Sequence, residues 1–235
     1  MLLAKAKTRL EVVNDINGDL INLYRVAASH SEELARVIST LPPASRAQIH
    51  HSRQLLATKG CLTDIYRAAL FLHLNKTSFS GNGSSLAVVV NPNSKAFIGT
   101  EALIDRIRTF QSRFDSVVIE NVSYERLLDT YDHPKNLIFL DPPYGVSNVR
   151  NYEGWNENDL TLFRNRVAGL SSKWIVTLDD SALNRHLWSG HDIAFSCTRN
   201  LSGNLGKSPD RHFGEIFIYS PGLRPSDEVC ILKAS

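Results

Sequence analysis

The stretch that most constrains this chain is Asn136 to Gly145, which reads NLIFLDPPYG. Leu137-Ile138-Phe139-Leu140 is too short for a helix and rich in strand formers, the pattern of a strand buried on both faces of a parallel sheet. Pro142 and Pro143 end it, because neither can donate to a ladder and each fixes its own φ. Asp141 and Tyr144 are thereby expected at the carboxyl end of a buried strand, where open α/β sheets bind their ligands.

Asp141-Pro142-Pro143-Tyr144 has the chemistry to handle a nucleobase amine. A base swung out of its stack needs a flat surface, and Tyr144 offers one. An exocyclic amine that is to attack an electrophile needs acceptors, and the Asp141 carboxylate and the Pro142 carbonyl supply them. These four are the candidate catalytic residues. The same letters also suit a proline-stiffened turn with a solvated Asp and a packed Tyr.

The rest of the chain bounds this reading. With 235 residues, 43% of them hydrophobic, it is long enough for one α/β domain carrying an inserted subdomain. The net charge of +2 is too small to argue nucleic-acid binding by itself. Cys61, Cys197 and Cys230 are odd in number and widely spaced, which points to reduced thiols in a cytosolic compartment, not to a disulfide framework or a zinc site. Cys197 sits in an apolar alternation and reads as core. MLLAKAK is too short and too charged for a signal peptide, and no run is apolar enough to span a bilayer.

In chain order, Leu2 to Ala6 reads as the remnant of a helix and Leu10 to Asn14 as a strand. Asp15 follows that strand, where an acid in a Rossmann-like sheet hydrogen-bonds ribose hydroxyls; a turn or capping role suits it equally. Asn17 or Asp19 can cap a helix over Gly18 to His30. Further helices are expected over Glu32 to Thr40 with Ser31 as cap, Ser45 to Lys59, Asp64 to Leu74, and Glu101 to Phe114 with Thr100 as cap. The loop Asn75-Lys76-Thr77-Ser78-Phe79 exposes amides, hydroxyls, a cation and an aromatic, which suits contact with DNA; a plain connector is the alternative. Ser78 to Ser85 reads as a loop and Leu86 to Val90 as a short strand. Ser116 to Glu120 is a strand whose end places Ser123 and Tyr124, and an aromatic there can lie against a cofactor adenine or pack into the core. Beyond the central strand come a polar loop, a helix over Asn158 to Leu170, a strand over Trp174 to Leu178, and a short helix capped by Ser181. An antiparallel pair, Ala194 to Arg199 with Glu215 to Tyr219, closes the pattern.

NLIFLDPPYG resembles the catalytic motif of amino-methyltransferases, in particular the Dam-like DNA adenine methylases. VVNDINGDLINLYR (Val12 to Arg25) resembles that family's second-strand segment, RAALFLHLNKTSFSG (Arg67 to Gly81) its helix-then-loop, and IENVSYERLL (Ile119 to Leu128) its third-strand segment. TRNLSG and GEIFIYS resemble its late strands, so the likeness runs from about residue 10 to residue 220. The resemblance implies an α/β fold: a Rossmann-like class I methyltransferase sheet over residues 1–30 and 100–235, with a mostly helical DNA-recognition insertion over 31–99. It implies S-adenosylmethionine as cofactor, held by Asp15, Ile16, Ser123 and Tyr124. Double-stranded DNA is the partner, contacted through Asn75, Lys76, Thr77 and Phe79. The implied reaction is methylation of the N6 amine of adenine, in a cytoplasmic setting.

One departure stands out. The family carries a strand ending in a glycine-rich turn ahead of the VVNDINGDL segment, and no such turn occurs in this sequence. The first strand of the sheet is therefore expected to be missing, leaving a gap of about two strand spacings, each about 4.8 Å. Three outcomes follow: direct pairing of the second-strand segment with the fourth, a strand borrowed from a second polypeptide, or instability. A non-catalytic DNA-binding remnant is the competing function. A third reading changes the substrate to RNA or a protein glutamine, and the DNA-type helical insertion argues against it.

Overall fold

The structure is a computed structural model that describes residues 5–42, 45–58, 61–77, 99–143, 155–199 and 212–223. Internal packing divides the chain into two units, Met1–Leu127 and Leu128–Ser235. The expected strand at 86–90 and the loop at 78–85 lie outside the described residues, as do residues 2–4 of the expected first helix; Lys5 to Lys7 are not helical. No helix among the described residues is long and apolar enough to cross a membrane.

In the first unit, β1 (Glu11–Asn14) pairs in parallel with β2 (Val117–Glu120), Val12 opposite Val118 and Asn14 opposite Glu120. Among the described residues, five helices separate them: α1 (Gly18–Ser29), α2 (Ser31–Thr40), α3 (Arg46–Ala57), α4 (Asp64–Thr77) and α5 (Thr100–Phe114). Asn17 caps α1, its side-chain oxygen accepting from the N–H groups of Asp19 and Leu20. Ser45 caps α3 through the N–H of Gln48. Two expected caps are corrected. Ser31 lies inside α2, where its buried hydroxyl donates to Gln111 of α5, 2.7 Å away. Thr100 is likewise already helical, and Gly99 occupies the cap position with no side-chain bond.

Helices α2 and α4, expected in an inserted subdomain, share one apolar core with α1 and α5. Leu34 and Ile38 of α2 and Ala68 and Leu72 of α4 cluster with Val26 and Ala27 of α1 and with Leu103 and Ile107 of α5.

The amino end of β1 is fixed electrostatically. Glu11, 6% exposed, accepts from both terminal guanidinium nitrogens of Arg113 at 2.5 and 2.9 Å, and Lys5 pairs with the same carboxylate. The Arg113 hydrogen bonds, then Lys5, hold the Glu11 carboxyl well below its ordinary value of 4.5. A depressed carboxylate pKa stabilises the fold above the unfolded-state value, and that contribution is lost as the solution is acidified towards the folded value. The midpoint of thermal unfolding should therefore fall as the pH drops below about 5. Glu11→Gln should lower the midpoint at pH 7 and flatten this acid dependence, which differential scanning calorimetry from pH 7 to pH 3 would register.

Helix α6 (Tyr124–Tyr131) runs across the boundary between the units. The second unit holds β3 (Leu137–Leu140), α7 (Glu157–Ala168), β4 (Lys173–Asp179), α8 (Ala182–Leu187), β5 (Asp192–Arg199) and β6 (His212–Tyr219). Its sheet has the order β3-β4-β6-β5, with β3 parallel to β4 and both contacts of β6 antiparallel. Asn156 and Asp159 form a reciprocal capping box at the start of α7. One face of the sheet is well covered. Trp174, Val176 and Leu178 of β4 and Ile216 and Ile218 of β6 are buried, as are Leu160, Phe163 and Val167 of α7. Phe163, Trp188 and Trp174 form a chain of ring contacts with centroids 6.4 and 5.5 Å apart.

The expectation for β3 is corrected. Leu137 is 59% exposed and Phe139 38%, whereas Leu140 is buried. Side chains alternate along a strand, so Leu137 and Phe139 share a face opposite to Leu140. β3 has β4 as its one strand partner among the described residues, and the face bearing Leu137 and Phe139 is exposed. The described strands form two sheets, β1–β2 and β3–β4–β6–β5.

Candidate active site

The first group of candidate residues lies at the carboxyl ends of β1 and β2. Asn14, the last residue of β1, reaches the loop after β2: its side-chain oxygen accepts from the Val122 N–H at 2.9 Å and its amide donates to the Val122 carbonyl at 3.0 Å. Asn121 donates in return to the Asp15 carbonyl at 2.7 Å. The two loops are thus zipped by side-chain amides just beyond the ladder. This brings Asp15 and Ile16 beside Ser123 and Tyr124, the four residues expected to hold a cofactor.

Each has a definite environment. Asp15 is half-buried, and its Oδ1 accepts the Asn17 N–H at 2.7 Å, bracing the turn that leads into α1. Ile16 is 63% exposed. Ser123 leads into α6, with its carbonyl accepting from Leu127 and its hydroxyl from the Arg126 N–H. Tyr124 is the first residue of α6 and half-buried. Burial, and then the charge of Asp15, raises the pKa of the Tyr24 phenol. A ribose diol needs an acceptor such as Asp15, and an adenine ring needs an apolar surface such as Ile16; the residues present fit that half of S-adenosylmethionine.

The second group lies at the carboxyl end of β3. Asp141 is exposed immediately past Leu140, and Pro142 and Pro143 are half-buried. The parallel register sets Leu140 beside Val176, so the next residue of β4, Thr177, comes alongside Asp141. Its hydroxyl is 2.6 Å from Asp141 Oδ1. Tyr144 lies outside the described residues.

The DNA candidates are revised. Asn75, Lys76 and Thr77 belong to the last turn of α4, not to a loop. The Asn75 amide donates to the Phe71 carbonyl at 2.9 Å, and the buried Thr77 hydroxyl donates to the His73 carbonyl at 2.7 Å. Such bonds to carbonyls one turn back let polar residues continue a helix. Lys76 is half-buried, and Phe79 lies outside the described residues.

Sequence reasoning missed Asn14, Asn121 and Thr177. A pair of asparagines at the ends of two strands was the available sign for the first two. Thr177 gave none, since a threonine in a strand reads as an ordinary strand former.

Two comparisons bear on identity. A retron Ec67 DNA adenine methylase of Escherichia coli is 27% identical over 210 residues, covering 84% of this chain and 72% of that protein. The model of the D12 class N6 adenine-specific DNA methyltransferases matches residues 2–196. That match takes in β1 with Asp15, β2 with Tyr124 and β3 with Asp141, and the chain belongs to this family of adenine-specific DNA methyltransferases.

Proposed function

We propose that this chain moves a methyl group from S-adenosylmethionine to the N6 amine of an adenine flipped out of double-stranded DNA. The observation that carries the reading is Asp141, an exposed carboxylate held by a buried hydroxyl at the carboxyl end of a parallel strand. S-adenosylmethionine supplies an electrophilic methyl group when bound. Asp15 accepts hydrogen bonds from its ribose, Ile16 and Tyr124 flank its adenine, and Ser123 shapes the turn between them. Asp141 and the Pro142 carbonyl accept the hydrogens of the target amine and hold its lone pair in line, while Tyr144 stacks on the base. Positioning of this kind supplies most of the acceleration. Lys76 and Phe79 contact the DNA, and Asn75 and Thr77 finish the helix that carries Lys76. The setting is cytoplasmic, where DNA and cofactor meet.

In this reading the fold is of the Rossmann-like class I methyltransferase type. Support comes from the edges: β1 pairs with β2 and β3 with β4, leaving each a second edge with no strand partner among the described residues. The exposed Leu137 and Phe139 lie on that edge strand. A second polypeptide that adds a strand to such an open edge is a further partner, by the same main-chain pairing that extended peptides use on open sheets.

Calorimetric titration of the purified chain with S-adenosylmethionine, followed by a methylation assay on adenine-containing duplex DNA, tests the proposal. Saturable binding is expected, and Asp15→Ala should weaken it at least about tenfold, the loss of roughly 1.4 kcal/mol of hydrogen bonding to the ribose. No heat and no methyl transfer from a chain shown to be folded would overturn it and favour the DNA-binding remnant.

A further inference from the structure

The catalytic reading leaves open what aims the Asp141 carboxylate. Asp141 stands on the first residue past β3, exposed, in a segment that has left the ladder. A solvated aspartate in such a place turns freely about its side-chain bonds unless something engages one oxygen.

Thr177 does so. It is 3% exposed, on the neighbouring strand β4. Its hydroxyl has one proton and two nearby acceptors: Asp141 Oδ1 at 2.6 Å and the Leu140 carbonyl at 3.4 Å. A hydroxyl donates to one acceptor at a time, and the shorter, charge-assisted contact takes the proton. The distance matches the 2.5–2.7 Å typical of a hydroxyl on a carboxylate.

We propose that Thr177 is a positioning residue for methyl transfer. Its hydroxyl anchors Oδ1 from inside the sheet and turns Oδ2 outward as the acceptor for the adenine amine. Strand geometry does not require the hydroxyl, since valine has nearly the same shape and an equal preference for strands. The proposal rests on the reading of Asp141 as the amine's acceptor.

The test compares the wild-type chain with Thr177→Val, Thr177→Ser and Asp141→Asn, using tritiated S-adenosylmethionine and adenine-containing duplex DNA. Thr177→Val should lower kcat about tenfold, the equivalent of about 1.4 kcal/mol in the barrier. KM for DNA and the thermal midpoint should stay near the wild-type values, and Thr177→Ser should recover most of the rate. A Thr177→Val enzyme within about twofold of wild type, or a serine variant as slow as the valine one, overturns the proposal. If Asp141→Asn is as fast as wild type, the reading of Asp141 itself fails instead. A readout independent of turnover is the crystal structure of Thr177→Val: a carboxylate spread over several rotamers supports the role, and one unchanged orientation overturns it.

Discussion

Asp141→Asn should cut methyl transfer to adenine by about 10²–10³-fold while leaving the chain folded and its binding of S-adenosylmethionine intact. That magnitude is typical for removing one preorganised electrostatic contact from a reacting centre. Asparagine keeps the shape, and its carbonyl oxygen can still accept the Thr177 hydroxyl that now lies 2.6 Å from Oδ1. What changes is the other end of the group. If the carbonyl takes the Thr177 proton, an NH₂ faces the substrate amine and donor meets donor. Single-turnover rates with saturating cofactor, set beside circular dichroism spectra, would separate lost chemistry from lost structure. An asparagine variant with undiminished rate would remove Asp141 from the reaction.

The largest expected effect on stability is at Trp174. It is 1% exposed, with its ring 5.5 Å from Trp188 and 5.5 Å from His191. Trp174→Ala empties this space at the centre of the second unit, and changes of this kind cost about 3–5 kcal/mol. A domain is stable by only about 5–15 kcal/mol, so much of the reserve of this unit would go. Because β4 also carries Thr177 and pairs with β3, activity should disappear together with the fold. Calorimetry should show a lowered transition assigned to residues 128–235, and Trp174→Phe should fall between alanine and wild type. An alanine variant that melts within a degree of wild type would show that the neighbouring rings collapse into the space.

The helices were readable because their signals are local. The 3.6-residue periodicity that marks α1 and α5 needs no knowledge of what packs against them. The errors came where a side chain's partner is remote in sequence. Ser31 has the chemistry of a cap, but Gln111, 80 positions away, takes its hydroxyl. Asn75 and Thr77 look like loop residues until their bonds to the preceding helical turn are seen. β3 shows the same limit more sharply. Its four apolar residues imply burial on both faces, yet burial depends on what packs over each face, and the face bearing Leu137 and Phe139 is exposed. The positions of Asp15 and Asp141, each just past a strand, were legible because a strand and the residues that stop it are adjacent in sequence. Thr177 was not, since its role arises from the β3–β4 register, which no local pattern reveals.

The amide zipper between Asn14 and Val122 has a practical consequence. It is neutral on both sides, so neither acid nor added salt weakens it, in contrast to an exposed ion pair such as Arg108 with Glu32. Protein–DNA affinity, by comparison, falls steeply with salt as phosphate contacts are screened. Raising ionic strength in a binding experiment should therefore strip the nucleic acid from this protein while leaving the loops that bear Asp15 and Tyr124 in register. Affinity for the small molecule, measured in high salt, is then read without the nucleic acid and with those loops in place.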